Sequence, residues 1–238
     1  MSHPQPSQLP AGVGPAVALA TAVGLDLPDT VIPLPQEPEA RARLEAAFRA
    51  GMSWVCIRSD TQRLRVHAAP HLPQHPATDS APDWHTESPG FSAGDYPPPP
   101  VLWETSVSTA AKGLGEEPDS YRTPRGWHVI AEKFGDGLPE GSEFKSRKPT
   151  GRVWRPEPEE STPPGAAWTG DLILSRILWL DGLEASNHTS HDRFIYFHGT
   201  NREDQIGTPA SHGCIRLRNK EMLHLYDLMP IGTPVYIS

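Results

Sequence analysis

"YFHGTNREDQIGTPASHGCIRLRN", residues 196–219, carries two His-Gly pairs, His198-Gly199 and His212-Gly213, with Cys214 directly after the second. The chain of 238 residues holds only two cysteines, so one placed among histidines, glycines and an arginine asks for a chemical reason. "RFIYFHG" at 193–199 reads as a strand, because its β-branched and aromatic residues suit a pleated surface. A histidine at the end of such a strand can project into a cleft. Gly213 permits a tight turn, so the N–H groups of residues 212–214 can converge on one point. The stretch between, "GTNREDQIGTPAS", is polar and contains Gly207 and Pro209. It can fold back and bring the strand end beside the cysteine. These are the parts of a nucleophilic thiol site: a base for the proton and donors for a developing oxyanion.

Each residue has a plainer reading. A Cys-His pair can be ordinary structure, and Arg216 can be a surface ion-pair residue. His198, His212, Cys214 and His224 could be weighed as zinc ligands, but their spacing fits neither C-x₂-C nor H-x₃₋₅-H, so no metal and no cofactor is expected. The other cysteine, Cys56, falls in an apolar strand pattern and reads as a small buried hydrophobe.

Outward from this stretch the chain reads as mostly β. "SWVCIRSDTQRLRVHAA" at 53–69 is a hairpin pattern around "SDTQ". Strand patterns follow at 101–109, 126–134, 171–180 and 193–199, with Gly- and Pro-punctuated loops between them, and "TPVYIS" closes the chain as a strand. "PEARARLEAAFRAG" at 38–51 reads as a short helix opening on Pro38 and ending at Gly51. "NKEMLHLYDLM" at 219–229 reads as a second, with Asn219 as N-cap and Met222, Leu225, Tyr226 and Met229 on one face. The expected fold is a mostly β sandwich or flattened barrel with one or two short helices. The expected division is a Pro-rich arm with a short helix at 1–51 and a catalytic-type domain at 52–238. Within the latter, 70–100 holds nine of the chain's 28 prolines and reads as an extended insert.

A net charge of -8 argues against nucleic acid as a partner. No apolar run reaches the roughly 18 residues of a spanning helix. The apolar stretch "AGVGPAVALATAVGL" at 11–25 is preceded by no Lys or Arg, since the first in the chain is Arg41. It reads as a short segment packed on the domain and not as a signal peptide.

"HGT" at 198–200 followed by "ASHGCIRL" at 210–217 resembles the signature of the L,D-transpeptidase catalytic domain. "VSTAAKG" at 107–113, "YRTPRGWHVIAEKFGDG" at 121–137 and "VCIRSDTQRLRVH" at 55–67 resemble its upstream segments, so the resemblance covers roughly residues 52–238. It implies Cys214 as nucleophile, His198 as general base and the Gly199 carbonyl orienting the His198 ring. It implies an oxyanion hole from the N–H groups of His212, Gly213 and Cys214, with His212 lining the pocket and Ser211 bracing the turn. Arg216 would face an anionic part of the substrate. Cys214 and His198 would meet within hydrogen-bond reach, about 2.6–3.2 Å. The implied activity is acyl transfer on peptidoglycan stem peptides, releasing D-alanine and forming a 3→3 crosslink in cell-wall biogenesis. A hydrolytic L,D-carboxypeptidase and a non-catalytic wall-binding relative are the alternatives. The resemblance also implies a periplasmic or envelope location, against the reading of 11–25, which leaves a cytoplasmic location open.

Overall fold

The described residues, 32–70, 100–156 and 170–238 of the computed structural model, form ten strands joined in one mixed sheet and two α-helices. The apolar segment 11–25 and nearly all of the 70–100 insert lie outside them. The expected hairpin is present as β1 (Trp54–Arg58) and β2 (Arg63–His67), and β3 (Val101–Ser106) continues it antiparallel. On its other edge β1 pairs in parallel with β10 (Pro234–Ile237), which pairs with β4 (Gly126–Phe134). β4 then lies antiparallel to β7 (Ile173–Gly182). The class is the expected one, mostly β with short helices, and the ladder is an open mixed sheet.

β7 organises the region of the quoted stretch. One edge takes β4 and, past the end of β4, β5 (Ser142–Lys145), which forms a hairpin with β6 (Lys148–Val153). The other edge takes β8 (Tyr196–Gly199), and β9 (Ile215–Leu217) lies parallel to β8. The β5–β6 hairpin falls where the sequence reads as loop. All of β6 is exposed, so it carries no apolar alternation. Its turn residues, Ser146 and Arg147, both have positive φ (48° and 64°) without the Asn-Gly pair that marks such turns.

The core gathers under α2 (Asn219–Leu228), whose Met222, Leu225 and Tyr226, with Met229 just beyond, pack on Leu178, Phe197 and Ile215. Each fully buried side chain of this size contributes roughly 1.5–3 kcal/mol. Lys133 donates to the carbonyls of Tyr226 (2.6 Å) and Met229 (2.7 Å), satisfying acceptors at the helix end. α1 (Pro38–Arg49) buries Ala40, Leu44 and Phe48 at i, i+4 and i+8, and Phe48 meets the Trp127 ring edge-on at 6.1 Å.

Asn219 is not the N-cap of α2; that position is Arg218, which makes no side-chain cap. Glu203 supplies the cap from a 3₁₀ turn (Glu203–Gln205), accepting from the Asn219 backbone N–H at 2.7 Å. The Asn219 side chain points inward. It donates to the Thr200 carbonyl (2.9 Å) and accepts from the Ser175 hydroxyl (2.6 Å), tying the helix start to β7 and β8.

Candidate functional site

The register of β8 and β9 sets Phe197 beside Ile215, His198 beside Arg216 and Gly199 beside Leu217. Side chains alternate along a strand. Phe197, Ile215 and Leu217 therefore enter the main core, and Tyr196, His198 and Arg216 share the opposite face. Cys214, one residue ahead of β9, continues that alternation. It packs against a second apolar cluster of Phe144, Ile177, Trp179 and Tyr196. β7 completes this face, with Ile177 paired to His198 and Trp179 to Tyr196.

β7 is irregular opposite the histidine. The pairs Leu174–Gly199 and Ile177–His198 leave Ser175 and Arg176 as extra residues between them, with Ser175 at φ 66°. Such bulges re-aim side chains beside functional sites. His198 is buried, and its Nδ1 lies 2.7 Å from the Gly199 carbonyl. A carbonyl only accepts, so Nδ1 carries the proton and Nε2 keeps its lone pair. A Cβ on Gly199 would stand 2.3 Å from Asn219 Oδ1 and 3.0 Å from the Leu174 carbonyl. Glycine is what lets the chain pass there.

Ser211 ties the turn before β9 together. Ser211 Oγ donates to the Cys214 carbonyl at 2.6 Å and accepts from the Gly213 N–H at 3.2 Å. Thr123, from the "YRTPRG" segment, donates to the Gly213 carbonyl at 3.0 Å while accepting from the Ala110 N–H at 3.0 Å. Gly213 sits at φ 126°, a conformation side chains rarely adopt. Its N–H is directed at Ser211 and not left open for an oxyanion, which modifies the expected three-donor hole. His212 is exposed, edge-on to Tyr121 with ring centroids 6.1 Å apart. His224 lies on α2 against Trp103. Among the described residues no group of three or more His, Cys, Asp or Glu is placed to hold a metal ion.

One expectation changes here. The Cys214 thiol does not hydrogen-bond His198; it donates to the Phe194 carbonyl at 3.4 Å. The register is consistent with this, since His198 pairs with Arg216 and Cys214, two residues earlier, lies level with Tyr196. Nor is the thiol acidified. Burial pushes Cys214 up to about 12, and burial likewise holds His198 below its usual range. Both shifts favour the neutral forms, thiol and imidazole.

Arg216 also departs from expectation. Its side chain is 1% exposed, and its carboxylate partner is internal: Nη1 lies 2.9 Å from Asp171 Oδ2, with Nη2 on Ser108 Oγ (2.9 Å) and Gln205 Oε1 (3.0 Å). Asp171 also accepts from the Thr200 hydroxyl at 3.1 Å. Sequence reasoning missed Asp171, Tyr196 and Arg147. An acid ahead of "LILS" and a tyrosine in a strand are ordinary, and nothing local joins Asp171 to a residue 45 positions on. Arg147 is legible in the sequence only if its hairpin is recognised.

Residues 96–237 match the family model of the YkuD L,D-transpeptidase catalytic domain, well over half of the chain. The chain belongs to this family. It is 48% identical over 46 residues to the putative L,D-transpeptidase YqjB of Bacillus subtilis, covering 19% of this chain and 26% of that one. It is 49% identical over 45 residues to the probable L,D-transpeptidase ErfK/SrfK of Salmonella typhimurium, covering 19% of this chain and 15% of that one. The matched stretches thus span about a quarter or less of these relatives' own length. Similar solved structures include an L,D-transpeptidase of Xylanimonas cellulosilytica (TM-score 0.41, 18% identity, 95% of this chain and 71% of that one). Another is from Mycobacterium smegmatis (TM-score 0.40, 13% identity, 79% and 59%).

Proposed function

We propose that the protein is a cysteine L,D-transpeptidase acting on peptidoglycan stem peptides. The observation that carries this is the 2.7 Å contact of His198 Nδ1 with the Gly199 carbonyl, which places the proton on Nδ1 and leaves Nε2 as the acceptor of a ring that shares its face with Cys214.

A neutral resting pair defines the order of events. The thiol leaves the Phe194 carbonyl and gives its proton to His198 Nε2 as sulfur attacks the scissile carbonyl of the third stem residue, meso-diaminopimelate or lysine. The lowered His198 pKa keeps the ring unprotonated and ready near neutral pH. The oxyanion is taken by the N–H groups of His212 and Cys214, Gly213 being engaged by Ser211. The tetrahedral intermediate collapses, the C–N bond breaks, and the His198 proton goes to the departing D-alanine amine. An acceptor amine then gives its proton to His198 and attacks the thioester, releasing the thiol and forming a 3→3 crosslink. Water as acceptor makes the same site a carboxypeptidase. The division into an arm at 1–51 and a catalytic domain at 52–238, and an envelope location, belong to this proposal. No described helix is long and apolar enough to cross a membrane.

The test is acylation by a carbapenem followed by mass spectrometry. One adduct on Cys214, absent from Cys214→Ala and slowed in His198→Ala, is expected. Mixing with tetrapeptide stems should release D-alanine and yield a crosslinked dimer. Labelling of Cys56 instead, or of neither cysteine, would refute the proposal, as would turnover by Cys214→Ala.

A further inference from the structure

With Arg216 committed to Asp171, the anion-reading role needs another cation, and the structure supplies one on the same face. Arg147 sits at the tip of the β5–β6 hairpin, which β5 anchors to β7 through Glu143–Leu174 and Phe144–Ile173. Its guanidinium carbon lies 4.4 Å from the centre of the Trp179 ring and 5.3 Å from that of Phe194. Its Nη1 donates to the Tyr196 hydroxyl at 3.1 Å. Trp179 and Tyr196 belong to the cluster that Cys214 packs against, and Phe194 supplies the carbonyl that holds the thiol. The cation and the nucleophile therefore share one aromatic wall.

Three other arginines near the site are spent on the protein. Arg216 is ion-paired and Arg176 donates to the Ser175 carbonyl. Arg193 donates to the carbonyls of Gly115 and Arg122. Arg147 is half-buried, and among the described residues no carboxylate pairs with it. One of its five N–H donors is used by Tyr196. Stacking on Trp179 and Phe194 restrains the fork, so little rotamer freedom remains to be lost when an anion binds.

We propose that Arg147 is the specificity-determining residue that reads a carboxylate of the acyl-donor peptide beside the scissile bond. This rests on the transpeptidase reading of the site. The carboxylate is that of the C-terminal D-alanine or that on the diaminopimelate side chain, both within one residue of the carbonyl attacked. A planar fork on an aromatic wall suits two-point pairing with such a group. Recognition of this kind restricts the enzyme to donors that carry the charge and disfavours those in which it is amidated or extended.

The experiment compares three tetrapeptide donors: the free acid, its C-terminal amide, and the diaminopimelate side-chain amide. kcat/KM is measured for the unmodified protein, Arg147→Lys and Arg147→Met. Affinity is measured in parallel by calorimetry on the Cys214→Ala protein with and without Arg147→Met. The unmodified protein should favour the free acid over one of the amides by at least about tenfold, which also says which carboxylate is read. Arg147→Met should bring that ratio to within about twofold, Arg147→Lys should lie between, and iodoacetamide should alkylate Cys214 at an unchanged rate in all three. An equal loss with acid and amides would make Arg147 a staple of the hairpin and overturn the inference. So would an undiminished preference in Arg147→Met. If no donor is turned over, the transpeptidase reading fails, and the calorimetry still decides the inference: equal affinities for acid and amides would overturn it.

Discussion

Replacing Asp171 by Asn tests the ion pair beneath the site. The Arg216 side chain is 1% exposed, and Asp171 is its only anionic partner among the described residues, at 2.9 Å. Its remaining partners, Ser108 and Gln205, are neutral, and its Nε has none. Removing one member of a buried pair typically costs about 3–5 kcal/mol, because the other charge stays desolvated. Here the Asp171 side chain is 24% exposed, so water can partly solvate Nη1 once the carboxylate is gone, which lowers the expectation to about 2–3 kcal/mol. For a chain of this size that is a fall in Tm of roughly 5–10 °C. Calorimetric melts of Asp171→Asn, Arg216→Met and the double variant form a cycle, and a coupling of at least about 1 kcal/mol is expected. The same variant reports on the site. The Asp171 charge raises the pKa of both Cys214 and His198, and Arg216 lowers both. The midpoint of iodoacetamide alkylation should therefore fall in Asp171→Asn. A loss below about half a kcal/mol with no coupling, or a midpoint that rises, would refute the reasoning.

Gly199→Ala should destabilise by about 2 kcal/mol or more, since its Cβ would meet Asn219 Oδ1 at 2.3 Å; it should also slow carbapenem acylation by displacing the carbonyl that orients His198. Leu225→Ala, at a fully buried position of α2, should cost about 2–5 kcal/mol in urea melts, and a loss well under half a kcal/mol would mean that the helix face is not packed. Burial lowers His128 to about 4, so the unfolded chain, with histidine near 6.5, binds the extra proton first. This contribution, about 3 kcal/mol, is fully present above pH 6.5 and is lost as pH falls toward 4; His128→Gln should flatten the fall in stability over that window, and an unchanged slope would contradict the assignment.

The secondary structure was legible wherever apolar residues fall on one face. The β1–β2 hairpin, β4, β7, β8, α1 and α2 stand where the alternation or the helical stripe put them. The motif residues were equally legible, because a Cys after His-Gly needs the turn that Gly213 makes, and Ser211 braces it. Alternation in "SHGCIRL" even separates the core residues Ile215 and Leu217 from Cys214 and Arg216. The β5–β6 hairpin was hidden because β5 is only four residues long, β6 is exposed throughout and the turn lacks the usual residues. Its Arg147 thus went unread, although it stands against the wall that holds the thiol.

Other properties were settled only by long-range placement. Whether Arg216 faces a substrate or Asp171 depends on a contact between residues 45 positions apart. Whether Cys214 rests as thiol or thiolate depends on how much protein surrounds its sulfur, and the desolvation outweighs the local features that would acidify it. That Asn219 links Ser175, Thr200 and Glu203 instead of capping its own helix follows from the bulge in β7 and the turn after β8. Local pattern determined the elements and the residues of the motif, because propensity and side-chain alternation act over a few residues. Charge state and ion pairing are set by burial and neighbours, which exist only once distant segments have packed.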